Sequence, residues 1–173
     1  MNGPSLFRCP LCGSPLTREE RGCICPARHS FDRAAAGYVH LLPPNRMHSK
    51  APGDDREMVA ARAAFLERGY YAPLRQALEE LVLEASAHLE GPVLLDSGCG
   101  EGYYTAGMFR ALERAGHRPR AAGIDISKYA LRRAAKRLPE GEFAVASAYR
   151  LPLADASADL LTNVFSPLSA EEF

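Results

Sequence analysis

The chain has 173 residues, 47% of them hydrophobic and 24% charged, and its 21 basic side chains balance 21 acidic ones. A neutral chain is not held on nucleic acid by bulk charge, and no apolar run approaches the roughly 20 residues of a membrane span. Its first residues lack the positive start and apolar core of a secretory signal, so we expect a cytoplasmic protein with no membrane partner.

The charges are distributed unevenly along the chain. Residues 1–50 hold seven basic and three acidic side chains, a net charge of +4, whereas residues 51–95 have a net charge of −4. A basic N-terminal third is compatible with contacts to the phosphates of a nucleic acid and equally with an ordinary solvated surface. Both interpretations stay open at this point.

Four of the five cysteines fall within the first 25 residues, which in a reducing compartment favours metal binding over disulfides. Cys9, Cys12, Cys25 and His29 follow the spacing C-x2-C-x12-C-x3-H. Three thiolates and one imidazole match tetrahedral structural zinc and leave no open position for catalysis. Cys23 competes with Cys25, but the x3 spacing to His29 favours Cys25. The alternative is a redox pair or separate buried cysteines.

Residues 1–45 are rich in turn-forming residues and have little periodicity, as expected of a small module held by a metal. Prolines and polar residues from 40 to 53 predict a linker or an ordered loop. Asp54 with Glu57 predicts a capped helix that ends near Gly69, and Pro73 opens a second helix. The second helix has one apolar face, formed by Leu74, Leu78, Leu81, Val82 and Ala85.

From residue 91 onward, strands alternate with helices. We predict strands at about 93–96, 121–125, 143–146 and 159–165, with one helix that ends at Gly116 and another capped by Ser127. Alternation of this length requires right-handed crossovers and a parallel sheet covered on both faces. The fold class is therefore α/β.

A glycine-rich loop joins the first of these strands to the next helix. Gly98, Gly100 and Gly102 give the spacing G-x-G-x-G, with Asp96 at the strand end. Glycines let the backbone turn sharply and approach a ligand closely. This pattern resembles motif I of class I methyltransferases. Asp125, at the end of the second strand, is placed where a carboxylate can bind both ribose hydroxyls of the cofactor.

Two further residues near this loop have less specific signals. Ser147 follows the third strand, where it either contacts an adenine or only caps a turn. Cys99 is interpreted as a small packed residue rather than a nucleophile, since no histidine is near it in sequence. The histidines at positions 40, 48, 88 and 117 have no partner at metal-ligand spacing.

Several motifs together resemble the bacterial 23S ribosomal RNA guanine-N1 methyltransferases of the RlmA (RrmA) type. They are Cys9-Pro-Leu-Cys12, Cys25-Pro-Ala-Arg-His29-Ser-Phe-Asp, Gly37-Tyr-Val-His-Leu-Leu-Pro43, Pro52-Gly-Asp54, Ala61-Arg-Ala-Ala-Phe-Leu66 and Asp96-Ser-Gly-Cys-Gly-Glu-Gly-Tyr-Tyr-Thr105. The resemblance covers nearly the whole chain. It implies a partial class I (Rossmann-like) methyltransferase fold behind a zinc module.

The resemblance also implies methyl transfer from S-adenosyl-L-methionine to N1 of a guanine in a hairpin of 23S ribosomal RNA. It assigns residues 1–45 to a zinc-binding RNA-recognition module, 46–90 to a linker with packing helices, and 91–173 to the N-terminal part of the methyltransferase domain. The implied cofactor contacts are Asp96, Gly98, Gly100, Glu101, Gly102, Asp125 and Ser147. Tyr71 either contacts the cofactor or packs at a helix start. Asn163 and Ser166 are the residues we expect to contact the base.

Members of that family are longer, and this chain stops at Phe173, soon after the fourth predicted strand. We therefore expect weak or no methyl transfer by these residues alone, and an open sheet edge that favours self-association, including a homodimer. Two other functions remain open. One is a non-catalytic zinc-dependent RNA-binding fragment, and the other is a small-molecule methyltransferase.

Overall fold

A computed structural model describes residues 3–43 and 52–173 of the chain. The predicted loop over residues 40–53 therefore lies largely outside the described residues. The first part is a four-stranded antiparallel sheet made of β1 (Gly3–Arg8), β2 (Pro15–Arg18), β3 (Gly22–Ile24) and β4 (Ser30–Asp32). The sequence did not predict these strands, because each is short and without clear alternation.

Two helices follow in the second described part of the chain, α1 (Arg56–Glu67) and α2 (Ala72–Ser86). The cap of α1 is Asp55 and not Asp54 as predicted, since the Asp55 carboxylate accepts the backbone N–H of Met58 at 2.9 Å. Asp54 instead pairs with Arg62. In α2 the predicted apolar face is only partly right, because Val82 is buried but Leu81 is 60% exposed.

The strands and helices predicted after residue 91 are confirmed, with small changes at their ends. They are β6 (Val93–Ser97), α3 (Tyr103–Arg114), β7 (Arg120–Asp125), α4 (Lys128–Arg137), β8 (Glu142–Val145) and β9 (Leu160–Thr162). Ser127 caps α4 as predicted, with its hydroxyl accepting the N–H of Ala130. The last strand is shorter than predicted because the chain turns away at Asn163.

These strands form a parallel sheet in the order β5-β8-β7-β6-β9, where β5 (Val39–His40) comes from the N-terminal region. Val39 pairs with Ala144, and His40 pairs with Val145. The sequence did not predict this strand, since two residues carry no periodicity. The carboxyl ends of β6, β7, β8 and β9 meet at one edge of the sheet, which is where ligands bind in open α/β folds.

Two cores lie on opposite faces of the parallel sheet. On one face, side chains of α2, α3 and α4 pack on alternate strand residues such as Leu94 and Phe143. On the other face, Leu95, Ile124 and Ala144 pack directly against Phe7 and Leu16 of the antiparallel sheet. The N-terminal sheet therefore covers the face that a doubly wound fold covers with helices.

The carboxylate of Glu142, at the start of β8, links the two sheets. It accepts hydrogen bonds from the Ser5 hydroxyl at 2.6 Å and the Leu6 N–H at 3.0 Å, and it pairs with Arg18 and Arg120. Its side chain is only 8% exposed. No helix in the described part of the chain is long and apolar enough to cross a membrane.

We expect Glu142→Ala to lower the free energy of unfolding by about 2 kcal/mol, because it leaves two half-buried donors, the Ser5 hydroxyl and the Leu6 N–H, without this acceptor. The matched control is Glu140→Ala, which removes an exposed ion pair with Arg110 and should cost less than about 0.5 kcal/mol. Chemical denaturation of both variants measures the difference. Equal losses in the two variants would show that Glu142 does not link the sheets.

Candidate functional site

The glycine loop lies at the carboxyl end of β6 and is fixed to the neighbouring strand. The N–H groups of Gly98 and Cys99 both donate to the carbonyl of Ile124 at 2.9 Å. Gly98, Gly100 and Gly102 have φ values of 80°, 54° and 75°, in the region that L side chains rarely adopt. At Gly98 a Cβ atom would lie 2.2 Å from Cβ of Ser166, so only glycine fits there.

A cavity of about 500 Å³ opens above this loop. Seven residues predicted from the sequence line it, namely Tyr71, Gly98, Gly100, Glu101, Asp125, Ser147 and Ser166. Three others do not reach its wall, namely Asp96, Gly102 and Asn163. The structure thus gathers most of the predicted cofactor residues around one space.

Asp125 connects the second strand end to the loop. One of its carboxylate oxygens accepts the N–H of Gly100 at 3.0 Å, and the other accepts the N–H of Ser127 at 2.7 Å. Burial raises the pKa of Asp125, and these two bonds oppose that shift. Each carboxylate oxygen can accept a second bond, so the group retains acceptor capacity toward the cavity.

Glu101 gives the cavity an unsatisfied acceptor. The residue is 2% exposed, and its Oε1 atom has no hydrogen-bond partner among the residues that the structure describes. Burial raises the pKa of Glu101, while Arg137 and Arg62 lower it. A buried carboxylate oxygen without a partner is costly, so this position fits a ligand that brings a donor or a positive charge.

Asp96 was expected to contact the cofactor, but it lies beneath the glycine loop and does not reach the cavity wall. It is 2% exposed, and its carboxylate accepts a short hydrogen bond from the Thr105 hydroxyl in α3. The carboxylate is therefore directed at the helix start, where it ties β6 to α3. Gly102 also faces away from the cavity, since a Cβ atom there would lie 3.1 Å from Ala134 of α4.

Asn163 and Ser166, the residues expected to contact the base, direct their polar atoms at the backbone. The Asn163 amide donates to the carbonyl of Ser97 at 3.2 Å, and the Ser166 hydroxyl donates to the same carbonyl at 2.7 Å. These groups hold the segment after β9 against the end of β6. Both side chains therefore bind a backbone group of the chain, whereas a substrate contact needs a polar atom directed at the substrate.

The sequence analysis missed other cavity residues because they come from the segment between β5 and β6. Gly53, Asp54 and Arg62 line the cavity, and the Ser127 hydroxyl donates to the carbonyl of Asp54 at 2.6 Å. The motif Pro52-Gly-Asp54 was noted only as part of a resemblance. The spacing of residues in the sequence does not predict that this segment crosses the end of β7.

The four predicted metal ligands come together at one end of the antiparallel sheet. The ligand atoms of Cys9, Cys12, Cys25 and His29 all lie within 4.8 Å of one another. Nδ1 of His29 is 3.5 Å from Sγ of Cys9 and 3.4 Å from Sγ of Cys25, and the Cys12 and Cys25 sulfurs are 3.7 Å apart. Tetrahedral zinc with bonds of about 2.3 and 2.0 Å requires separations of this size.

The environments of the cysteines distinguish the metal ligands from cysteines that only pack in the core. Hydrogen bonds from Ser14 lower the pKa of the Cys12 thiol to about 6, which favours the thiolate that binds a metal. Cys23 lies in β3 outside the cluster, and burial raises the pKa of its thiol. Cys99 lies within the glycine loop and is 7% exposed, and burial raises its thiol pKa well above the usual value, which fits a packed residue.

A second and wider groove runs from the metal cluster to the cavity. Cys9, Leu11 and Cys12 lie at one end, and Ser147 and Tyr149 are shared with the cavity at the other. Two exposed arginines, Arg8 and Arg150, also line it. The groove, which Asp155 also lines, reaches from the metal cluster to the glycine loop.

Comparison with known proteins agrees with both halves of this arrangement. The family model described as "RlmA, N-terminal", a zinc ribbon, matches residues 7–50, and one described as a methyltransferase domain matches residues 95–168. A solved structure from Methanococcus maripaludis, described as an S-adenosyl-L-methionine-dependent methyltransferase, superposes with a TM-score of 0.53. It is 17% identical over 69% of this chain and 54% of its own, so it shows the fold alone.

Curated relatives share much more sequence. One from Micromonospora griseorubida, named a 23S rRNA (guanine-N1)-methyltransferase, is 40% identical over 96% of this chain and 60% of its own length. The 23S rRNA (guanine(748)-N(1))-methyltransferase of Streptomyces fradiae is 39% identical over 96% and 57%. The Bacillus subtilis relative YxjB is 34% identical over 98% and 59%. The chain spans somewhat more than half the length of these relatives.

We expect the purified protein to bind one zinc ion per chain, and Cys25→Ser to lose it, because the substitution removes one of four ligands. Cys23→Ser is the matched control, since its thiol lies in the same small sheet but outside the cluster. Metal content measured by mass spectrometry gives the stoichiometry. Loss of zinc in Cys23→Ser and retention in Cys25→Ser would reverse the assignment.

Burial raises the pKa of Asp96 to about 6 from an ordinary value of 3.8. The folded state therefore binds this proton more tightly than the unfolded chain, so this carboxyl destabilises the fold increasingly as pH rises from about 4 to 6. We expect the free energy of unfolding of Asp96→Asn, relative to wild type, to increase by on the order of 3 kcal/mol across that range. Denaturant titrations at several pH values measure it, with the exposed Asp155→Asn as control. A relative stability that is independent of pH would contradict the assignment.

Proposed function

Because this chain belongs to the RlmA-type family of 23S rRNA (guanine-N1) methyltransferases, we propose that it takes part in methylation of N1 of a guanine in a 23S ribosomal RNA hairpin. The observation that carries the proposal is the cavity in which Gly98, Gly100, Glu101 and Asp125 meet beside a groove from the metal cluster. Ribosomal RNA as the substrate implies that the protein acts in the cytoplasm.

The residues at the cavity fit S-adenosyl-L-methionine. Asp125 would accept the ribose hydroxyls, and the backbone at Gly98 and Gly100 lets the cofactor approach the loop closely. The unpartnered oxygen of Glu101 would accept a donor of the methionine part, and Ser147 would lie near the adenine. Tyr71 would cover the cofactor from the start of α2. Asp96 and Gly102 would act from behind the loop by fixing its shape.

The bound cofactor supplies an electrophilic methyl group on a positively charged sulfur. The role of this chain's residues is to hold that group in line with the guanine nitrogen and to exclude water, which supplies most of the rate in such transfers. Asn163 and Ser166 would act by positioning the segment that closes the cavity. The base that accepts the N1 proton has no assignment among the described residues.

Zinc held by Cys9, Cys12, Cys25 and His29 would stabilise the small sheet, and that sheet would present one wall of the groove to RNA. We propose residues 1–45 as the zinc-binding RNA-recognition module, 46–90 as the linker and packing helices, and 91–173 as the N-terminal part of the methyltransferase domain. Arg8 and Arg150 would contact phosphates along the groove. The homodimer expected from the sequence belongs to the same proposal.

We expect S-adenosylhomocysteine to bind the protein in calorimetry, and Asp125→Asn to weaken that binding at least tenfold, because the amide cannot keep both the loop and the ribose bonds. Asp32→Asn, exposed on the small sheet, is the control and should bind as wild type does. Methyl transfer is read by reverse-transcription stops on a 23S fragment that contains guanine 748, the base named for the Streptomyces relative.

The outcomes separate the three functions considered. RNA binding without any cofactor binding would favour a non-catalytic RNA-binding module. Cofactor binding with methyl transfer to a metabolite pool, and none to the RNA, would favour a small-molecule methyltransferase. Either result would overturn the proposal.

A further inference from the structure

The segment after β9 is held in one conformation by its own polar side chains. The two N–H groups of the Asn163 amide lie within hydrogen-bond distance of three acceptors, namely the Ser97 carbonyl, the Ser166 hydroxyl at 2.7 Å and the Pro167 carbonyl at 3.1 Å. The Ser166 hydroxyl donates to the Ser97 carbonyl. These contacts within and around five residues leave this segment little freedom.

Phe165, within this segment, has a backbone conformation that costs energy. Phe165 has a φ of 55°, in the left-handed region that a bulky side chain rarely adopts. Its side chain is nevertheless 77% exposed, and its ring meets the edge of Tyr71 with centroids 5.7 Å apart. A strained backbone that displays a large apolar ring to solvent gains little from packing. Such a combination is typical of a position kept for a ligand.

Phe165 stands out among the aromatic residues of the cavity wall. Tyr103 is only 6% exposed, with the guanidinium groups of Arg75 and Arg137 over its ring. Tyr104 packs edge-on against Tyr103, and burial raises its pKa to about 12. Neither ring offers a free face to a planar ligand.

Of the other aromatic residues in this wall, Tyr149 is 65% exposed and Phe65, beside Tyr71, is 43% exposed. Tyr149 follows β8, on the side where Ser147 would hold the adenine of the cofactor. Phe165 follows β9 on the far side of β6 from β7 and β8. With the ribose at Asp125 and the adenine near Ser147, as proposed above, the rest of the cofactor would extend toward β6 and β9. Phe165 would then lie on the side of the cavity where the methyl group is transferred.

We propose that Phe165 is the platform on which the target guanine stacks after it leaves the RNA hairpin, and that Asn163 and Ser166 position this ring. The inference rests on the proposed function. An unstacked base is stabilised by the face of an aromatic side chain, and this stacking tolerates any base. The ring thus fixes the plane of the guanine, while the identity of the base must be read by other groups. Phe165 contacts substrate, and Asn163 and Ser166 act through it.

The test uses a 23S hairpin in which 2-aminopurine replaces the target guanine, with S-adenosylhomocysteine bound to the protein. Stacking on an aromatic ring quenches the fluorescence of this purine. We expect Phe165→Ala to weaken hairpin binding at least tenfold and to abolish the quenching that wild-type protein produces. Phe165→Tyr should keep the dissociation constant for the hairpin and the size of the quenching within threefold of wild type. Leu168→Ala, at a side chain 70% exposed in the same region but outside the cavity wall, is the matched control and should behave as wild type.

The positioning role has its own readout. Ser166→Ala should leave the ring free to relax and give a quench between those of wild type and Phe165→Ala, whereas Ser166→Thr should restore it. Calorimetry with S-adenosylhomocysteine is run on every variant, and Phe165→Ala, Phe165→Tyr and Leu168→Ala should give dissociation constants within threefold of wild type. That measurement shows whether each variant is folded and retains its cofactor cavity.

Three results would overturn the inference. Wild-type protein that binds the hairpin without quenching has no aromatic platform. Phe165→Ala that binds and quenches as wild type does would remove this ring from the substrate site. Phe165→Ala that loses S-adenosylhomocysteine binding along with RNA binding would make the ring a cofactor contact. Failure of the proposed function looks different, because wild-type protein would then bind no S-adenosylhomocysteine.

Discussion

The structure depends on how the second face of the parallel sheet is covered. A parallel sheet needs apolar cover on both faces, and among the residues that the structure describes helices cover one of them. Phe7 and Leu16 of the small antiparallel sheet pack on Leu95 and Ile124 and supply the other cover. The metal module is therefore part of the core that supports the glycine loop, and loss of zinc would disturb the cavity as well as the groove.

This shared core explains the position of the groove. Glu142 ties β1 to the start of β8, and β5 extends the same sheet beside it. These two connections place the cluster of Cys9 and Cys12 at one end of a groove whose other end is the cavity. A ligand must be extended to touch both ends of the groove, whereas a small molecule needs only the cavity.

In the glycine loop, the absence of side chains lets the backbone lie close to neighbouring residues. Ser166 occupies the space that a Cβ atom of Gly98 would need, and the Ser97 carbonyl receives two hydrogen bonds from the segment after β9. The same loop gives the N–H of Gly100 to Asp125. One backbone turn thus connects three strand ends, which is why residues distant in sequence reach a single cavity.

The sequence by itself determined what is local: the metal spacing that selects Cys25 over Cys23, the alternation of strands and helices after residue 91, and the glycines with Asp125 at the next strand end. Only the tertiary structure decided that the N-terminal sheet covers the parallel one, that Asp96 faces Thr105, and that Asn163 and Ser166 hold the backbone while Phe165 faces the cavity. Ligand spacing and helical periodicity repeat within a few residues and can be read along the chain. The direction of a side chain at a strand end depends on partners tens of residues away, and no local pattern records it.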